Sequence, residues 1–122
     1  MKVVFLDIDG VLTTAQSGWR LIRKKVEFLN RLEGWSVVIS SSWCYCDDTV
    51  RSLQECGLEL PIISGTRDWW IEEVDRAKDI RRWIEENKPE EWIVLDDEEL
   101  DIEGFVHVDP LIGLTEKEIE GY

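Results

Sequence analysis

The feature that most constrains the fold is a set of short, nearly continuous apolar runs, each ending abruptly in polar residues. Val3-Val4-Phe5-Leu6 runs into Asp7, Val37-Val38-Ile39 into Ser40, and Trp92-Ile93-Val94-Leu95 into Asp96. A strand that is apolar at every position has no polar face to turn to water, so it must be covered on both sides. Between these runs lie stretches with helical spacing. From about Arg20 to Glu33 the apolar residues Leu21, Ile22, Val26, Phe28, Leu29 and Leu32 recur on one stripe, and Gly34 supplies a stop. A second helix is expected over about Asp47 to Glu55, capped by Asp47 or Asp48 and ended by Gly57. A third runs from about Ile71 or Val74 to Asn87, with Val74, Ile80, Trp83 and Ile84 on one stripe, and Lys88-Pro89 ends it. Pro61-Ile62-Ile63 and Phe105-Val106-His107-Val108 read as further strands, and Thr115 opens a short last helix in a capping-box pattern. Strands that alternate with helices in this way imply an α/β fold with a largely parallel sheet and right-handed crossovers.

Composition narrows the choice of partners. A chain of 122 residues suffices for one domain with a real core and is too short for two. Its 27 acidic residues outnumber its 14 Lys and Arg, giving a net charge of −13. Such a surface repels polyanions, so extended nucleic-acid binding is not expected. The local exception, Arg20, Arg23, Lys24 and Lys25, reads either as a positive rim near an N-terminal site or, the preferred reading, as a solvated helix face. Cys44, Cys46 and Cys56 are odd in number and lack the C-x-x-C spacing of zinc ribbons and redox motifs, so reduced thiols are expected. The apolar N-terminal run is too short for a signal peptide, and no apolar stretch approaches the ~20 residues of a membrane span. A cytoplasmic protein without membrane contact follows as the expectation.

Chemistry is expected where the strands end, because an open parallel sheet binds its ligands beyond the carboxyl ends of its strands. The polar residues there are Asp7 and Asp9 after the first strand, Ser40, Ser41 and Ser42 after the second, and Asp96 and Asp97 after the fourth. Three or more carboxylates in one crevice repel one another unless a cation sits between them, and an all-oxygen donor set selects a hard ion such as Mg²⁺.

In their order along the chain these pieces resemble the haloacid dehalogenase (HAD) superfamily. Its first motif, D-x-D-G-x-[LVT] after a strand, appears as Asp7-Ile8-Asp9-Gly10-Val11-Leu12. Its second, a strand ending in Ser or Thr, is Val37 to Ser42. Its third, a Lys or Arg on a later helix, and its fourth, Val94-Leu95-Asp96-Asp97, follow in sequence. A looser likeness joins the chain to small capless domains of RNA-repair proteins. It rests on S-S-S-W at Ser40 to Trp43, the pattern from Arg76 to Ile84, W-I-V-L-D-D at Trp92 to Asp97, and D-P-x-x-G-L-T at Asp109 to Thr115.

The resemblance implies a Rossmann-like three-layer fold with a mostly parallel five-stranded sheet, and a Mg²⁺-dependent phosphomonoester phosphatase working through an aspartyl-phosphate. Asp7 is then the nucleophile and Asp9 the general acid and base. Mg²⁺ is bound by Asp7, by the Asp9 backbone carbonyl and by Asp97, with Asp96 as alternative or outer ligand. Ser41 is the hydroxyl on the phosphoryl group, and Ser40 replaces it if the strand register shifts by one residue. Arg76 is the cation, with Lys78 as runner-up, and Gly10 and Ser42 complete the phosphate-binding set. The second acid, Asp9, favours phosphatase over dehalogenase. Superfamily caps are inserted after the first motif or between the second and third, and neither the 31 residues from 10 to 40 nor the 34 from 42 to 75 leave room for one. An open site goes with substrates that bring their own bulk: nucleic-acid ends, phosphoproteins or a partner domain, with nucleotides also open. The alternative is a phosphate- or metal-binding regulatory module without turnover. A response-regulator receiver is disfavoured, since its phosphoacceptor follows the third strand, which here ends in Ser64-Gly65. Oligomeric state is not written in the sequence.

Overall fold

The structure is a computed structural model and describes residues 1–41, 43, 45–66 and 75–122. The strands are β1 (Lys2–Leu6), β2 (Trp35–Ile39), β3 (Ile62–Gly65), β4 (Glu91–Asp96) and β5 (Phe105–His107). The helices are α1 (Arg23–Leu29), α2 (Asp47–Glu55), α3 (Arg76–Asn87) and α4 (Glu116–Ile119). The strands form one five-stranded sheet in the order β3-β2-β1-β4-β5, with every pairing parallel. The fold is α/β and Rossmann-like, as the alternation of elements requires. Between residues 9 and 41 the chain forms a loop, α1 and β2, and the described residues between 41 and 76 form α2 and β3, so no cap is evident. No helix of the described residues is long and apolar enough to cross a membrane.

Strand alternation divides the core in two. Val4, Leu6, Val37, Ile39, Ile93 and Leu95 face Val26 and Leu29 of α1, Leu53 of α2 and Ile119 of α4. Val3, Phe5, Val38 and Val94 face Ile80 and Trp83 of α3. The runs Val3–Leu6 and Ile93–Leu95 at the centre of the sheet are therefore apolar at every position because each side chain has a layer to pack against, and burying each such side chain contributes about 1.5–3 kcal/mol. Trp83 meets Phe5 edge to face at 5.4 Å between centroids and donates its indole N–H to Ser64 Oγ at 3.0 Å, so its apolar body and its polar tip are both satisfied.

Two helix boundaries differ from the sequence reading. α1 is shorter than the apolar stripe from Arg20 to Glu33. At its start Ile22 is extended and donates its N–H to Leu12 O at 2.9 Å. At its end the Asn30 side chain clamps the α2–β3 connection, donating to Gly57 O and accepting from Glu59 N, both at 2.8 Å. The extended backbone at Ile22 delays the start, and past Leu29 the chain runs on in tighter turns, with Arg31 N to Phe28 O at 3.2 Å and Leu32 N to Leu29 O at 2.9 Å, which the stripe alone does not reveal. α2 is capped by Cys46, one residue earlier than expected, and Asp47 and Asp48 sit in its first turn, where negative charge suits the helix dipole. The expected start of the third helix at Ile71 or Val74 lies outside the described residues. Within them, Asp75 caps α3 by accepting from Lys78 N at 3.1 Å, and Lys88 ends it with φ +47 before Pro89. The Thr115 capping box is formed, with Glu118 closing it. Cys56 is a free thiol, whereas Cys46 is disulfide-bonded, so the expectation of reduced thiols throughout does not hold.

Candidate active site

Register brings the strand ends level. Leu6 pairs with Ile39 on one side and with Leu95 on the other. The next residues of the three strands are Asp7, Ser40 and Asp96, and two further bonds hold them in line: Asp7 N to Leu95 O at 3.0 Å and Ser40 N to Leu6 O at 2.8 Å. Counting by twos from Phe5, Val38 and Val94 puts all three on the α3 side of the sheet.

Arg76, the first residue of α3, reaches this row. Its Nη1 lies 3.0 Å from both oxygens of Asp96, 3.4 Å from Asp7 Oδ2 and 4.0 Å from Glu98 Oε2. Asp96 Oδ1 also accepts from Glu98 N at 2.9 Å. Asp7 Oδ1 accepts from Ile8 N at 2.9 Å, while Asp7 Oδ2 is buried without a hydrogen-bond partner. Lys78, the runner-up cation, is exposed and makes no ion pair with the cluster among the described residues.

One oxygen from each of Asp7, Asp96 and Asp97 lies within 4.8 Å of the other two. Gly10 makes this possible. Its φ is +84, and a Cβ there would lie 2.7 Å from Asp97 Cγ, so only glycine lets the Asp97 carboxylate close on the loop. The carboxylate of Asp9 stands apart from the three, accepting from Thr13 Oγ1 at 3.1 Å, and Gly10 N donates to Thr13 O at 3.1 Å.

The cluster is electrostatically unfinished. Burial pushes Asp7 up to about 9, helped by the neighbouring carboxyl groups of Asp97 and Asp96 and opposed by Arg76. Burial also raises Asp96, although the Glu98 N–H and Arg76 pull against it. Burial lowers Arg76, but Asp7 and Asp96 outweigh it and hold the guanidinium above its ordinary value. One guanidinium thus does not balance three carboxyl groups. An all-oxygen set this tight, with one buried oxygen that takes no hydrogen bond among the described residues, has the chemistry of a hard-cation site.

The serines separate by hydrogen bonding. Ser41 Oγ accepts from Trp43 N at 3.2 Å, whereas Ser40 Oγ is buried with no hydrogen-bond partner among the described residues. Ser42 lies outside the described residues. Asp101 is exposed, and its carbonyl accepts from Arg81. Two participants were not singled out for the site from sequence. Thr13 is buried and fixes the Asp9 carboxylate, and the signal available was a hydroxyl three residues after a turn glycine. His107, read from sequence as a structural strand residue, lies 3.0 Å through Nε2 from the Asp97 carbonyl, a contact visible only once β5 is set beside β4.

A family model described as the HAD domain in Swiss Army Knife RNA repair proteins matches residues 3–119. The chain belongs to this family. The match spans β1 to α4 and so takes in the whole row of strand ends and the loop that carries Asp9. No match is found among curated proteins or among solved structures. HAD membership carries a phosphatase-like class of chemistry, with which the buried aspartate cluster is compatible.

Proposed function

We propose that this HAD domain is a Mg²⁺-dependent phosphomonoester phosphatase that forms an aspartyl-phosphate on Asp7. The observation that carries the reading is the position of Asp7: level with Ser40 and Asp96 at the sheet's carboxyl edge, its Oδ2 3.4 Å from Arg76 and without a hydrogen bond among the described residues. Asp7, Asp97 and the Asp9 carbonyl would hold the cation, with Asp96 behind them. When bound, the ion supplies Lewis-acid neutralisation of charge between carboxylate and phosphoryl group.

The chain's own groups then divide the work. An Asp7 oxygen attacks phosphorus while the bond to the ester oxygen breaks, and Asp9 gives its proton to that leaving oxygen. Asp9 next takes a proton from water as the water attacks the aspartyl-phosphate, and inorganic phosphate leaves. Arg76 offers its guanidinium to the phosphoryl oxygens from the α3 side. The unengaged hydroxyl of Ser40 suits the role first given to Ser41, whose Oγ already accepts from Trp43 N. Thr13 holds Asp9 near the leaving group. Suitable substrates are nucleic-acid ends, nucleotides and phosphoproteins, since no cap is evident among the described residues. The test is hydrolysis of p-nitrophenyl phosphate with and without Mg²⁺. Turnover that chelator abolishes and Mg²⁺ restores supports the reading. Metal and phosphate binding without turnover would instead make the domain a non-catalytic module.

A further inference from the structure

α1 and α4 follow β1 and β5 of an all-parallel sheet, so the chain enters both helices from the edge where Asp7 and Asp96 lie. Between them is a groove of about 710 Å³, lined by Lys24, Lys25 and Phe28 of α1 and by Ile112, Gly113 and Lys117. It adjoins the site at two points. His107, also in its lining, contacts the Asp97 carbonyl, and Leu114 N donates to Val11 O at 2.7 Å in the loop after Asp9. Gly113 keeps the floor open: its φ is +76, and a Cβ there would lie 3.0 Å from Val11 O and 3.3 Å from Lys25 Cε.

The charges in this groove are matched unequally. Glu116 is neutralised by Arg31 at 2.8 Å, whereas Glu118, in the Thr115 capping box, and Asp109, accepting from Leu111 N at 2.9 Å, are bonded to neutral donors and keep their charge. Among the described residues Lys24, Lys25 and Lys117 have no ion-pair partner, and Lys24 Nζ rests 5.9 Å from the Phe28 ring centroid. Three ammonium groups without an ion-pair partner, against the two carboxylates of Asp109 and Glu118, leave the groove positive on a chain of net charge −13, which is complementary to an anion that approaches from the active-site end. An ammonium is a compact point charge, which suits a phosphate without demanding one orientation. Phe28 and the 56% exposed Ile112 add an apolar wall for whatever connects that anion to the reacting ester.

We propose that the groove is a subsite for a second phosphate carried by the substrate's leaving group. The substrate class is then a phosphomonoester with its own further phosphate, as in a nucleoside bisphosphate or the terminal phosphate of an oligonucleotide. This rests on the phosphatase reading above and adds to it the part of the substrate that is not cleaved.

The experiment compares kcat/KM with Mg²⁺ for adenosine 3′,5′-bisphosphate, adenosine 3′- and 5′-monophosphate, and a 5′-phosphorylated tetranucleotide, in the wild type and in the triple variant Lys24→Gln, Lys25→Gln, Lys117→Gln. The wild type should prefer the doubly phosphorylated compounds over the monophosphates by about tenfold or more, and the triple variant should bring that ratio close to one. A higher value for the tetranucleotide than for the bisphosphate identifies a strand end as the source, and the reverse identifies a free nucleotide. No preference in the wild type, or a preference that survives in the triple variant, overturns the subsite. Binding keeps the two readings apart. If no compound is hydrolysed, adenosine 3′,5′-bisphosphate is titrated into Asp7→Asn followed by NMR, with and without the lysine substitutions. Affinity that falls about tenfold sustains the groove while the phosphatase reading fails, and unchanged affinity removes the groove as well.

Discussion

At the scale of single residues, Asp7 and Asp9 lie two positions apart and have different surroundings. Asp7 is 1% exposed and inside the carboxylate cluster, whereas Asp9 is half-buried and bonded to Thr13. Asp7→Asn removes the nucleophile and should reduce turnover of p-nitrophenyl phosphate to background. Asp9→Asn keeps both the nucleophile and the backbone carbonyl. With a leaving group that needs no proton, it should release a burst of nitrophenol and accumulate phosphorylated protein, about 80 Da heavier by the mass of the added phosphoryl group. Wild-type turnover in Asp7→Asn would sink the mechanism, and loss of the burst in Asp9→Asn would remove Asp9 from its role. The serines give a second comparison. Ser40→Ala deletes the hydroxyl left without a hydrogen-bond partner and should lower kcat/KM by about tenfold or more. Ser41→Ala deletes only an acceptor for Trp43 N, and its effect should be smaller. The opposite order in kcat/KM would return the role to Ser41. Sequence alone left this choice open, because one residue of register changes which face a side chain occupies.

At the scale of elements, the strands were legible in the sequence because both faces are covered, so Val3–Leu6, Val37–Ile39 and Ile93–Leu95 are apolar at every position, and the buried Asp7, Ser40 and Asp96 that follow mark the site. The helix limits were less legible. The apolar stripe around α1 continues past its ends, and hydrophobic spacing marks neither the bond from Ile22 to Leu12 at its start nor the tighter turns from Asn30 to Leu32 at its end. The pairing of Arg76 with Asp96, 20 residues apart, depends on α3 returning to the carboxyl edge, which the order of strands and helices does foretell. The groove between α1 and α4 was not legible, since its walls lie some 80 positions apart in the chain. The loop that joins β1 to α1 offers its own test at Gly10. Gly10→Ala meets the positive φ, which costs about 1–2 kcal/mol, and drives a methyl group into the Asp97 carboxylate. Thermal stability should drop, and the stabilisation gained from Mg²⁺ should shrink because Asp97 is displaced. A variant with unchanged melting temperature and unchanged response to Mg²⁺ would show that the close approach of Gly10 and Asp97 has no part in the site.

For the whole molecule, the buried carboxyl cluster links folding to pH and to metal. Without a cation the native state holds the Asp7 proton up to about pH 9. The unfolded chain releases it near pH 3.9. Between these values the native state binds more protons than the unfolded state, so stability falls as pH rises. The contribution is fully present below about pH 4 and is lost as pH passes through the folded-state value. Asp96, also raised, acts in the same direction. One retained proton changes stability by at most about 1.4 kcal/mol per pH unit, which corresponds to several degrees of melting temperature in a domain of this size. In chelator, the melting temperature of the wild type should therefore decline from pH 5 to pH 8. Asp7→Asn puts a neutral amide of the same shape in the cluster, so its melting temperature should change less over that range and exceed that of the wild type at pH 8. A cation favours the ionised cluster, so Mg²⁺ should raise the wild-type melting temperature more at pH 8 than at pH 5, and should do so weakly in Asp7→Asn. Calorimetry across this range checks all three outcomes. Equal pH slopes in the two proteins would mean that the Asp7 carboxyl group ionises as freely in the fold as it does in water.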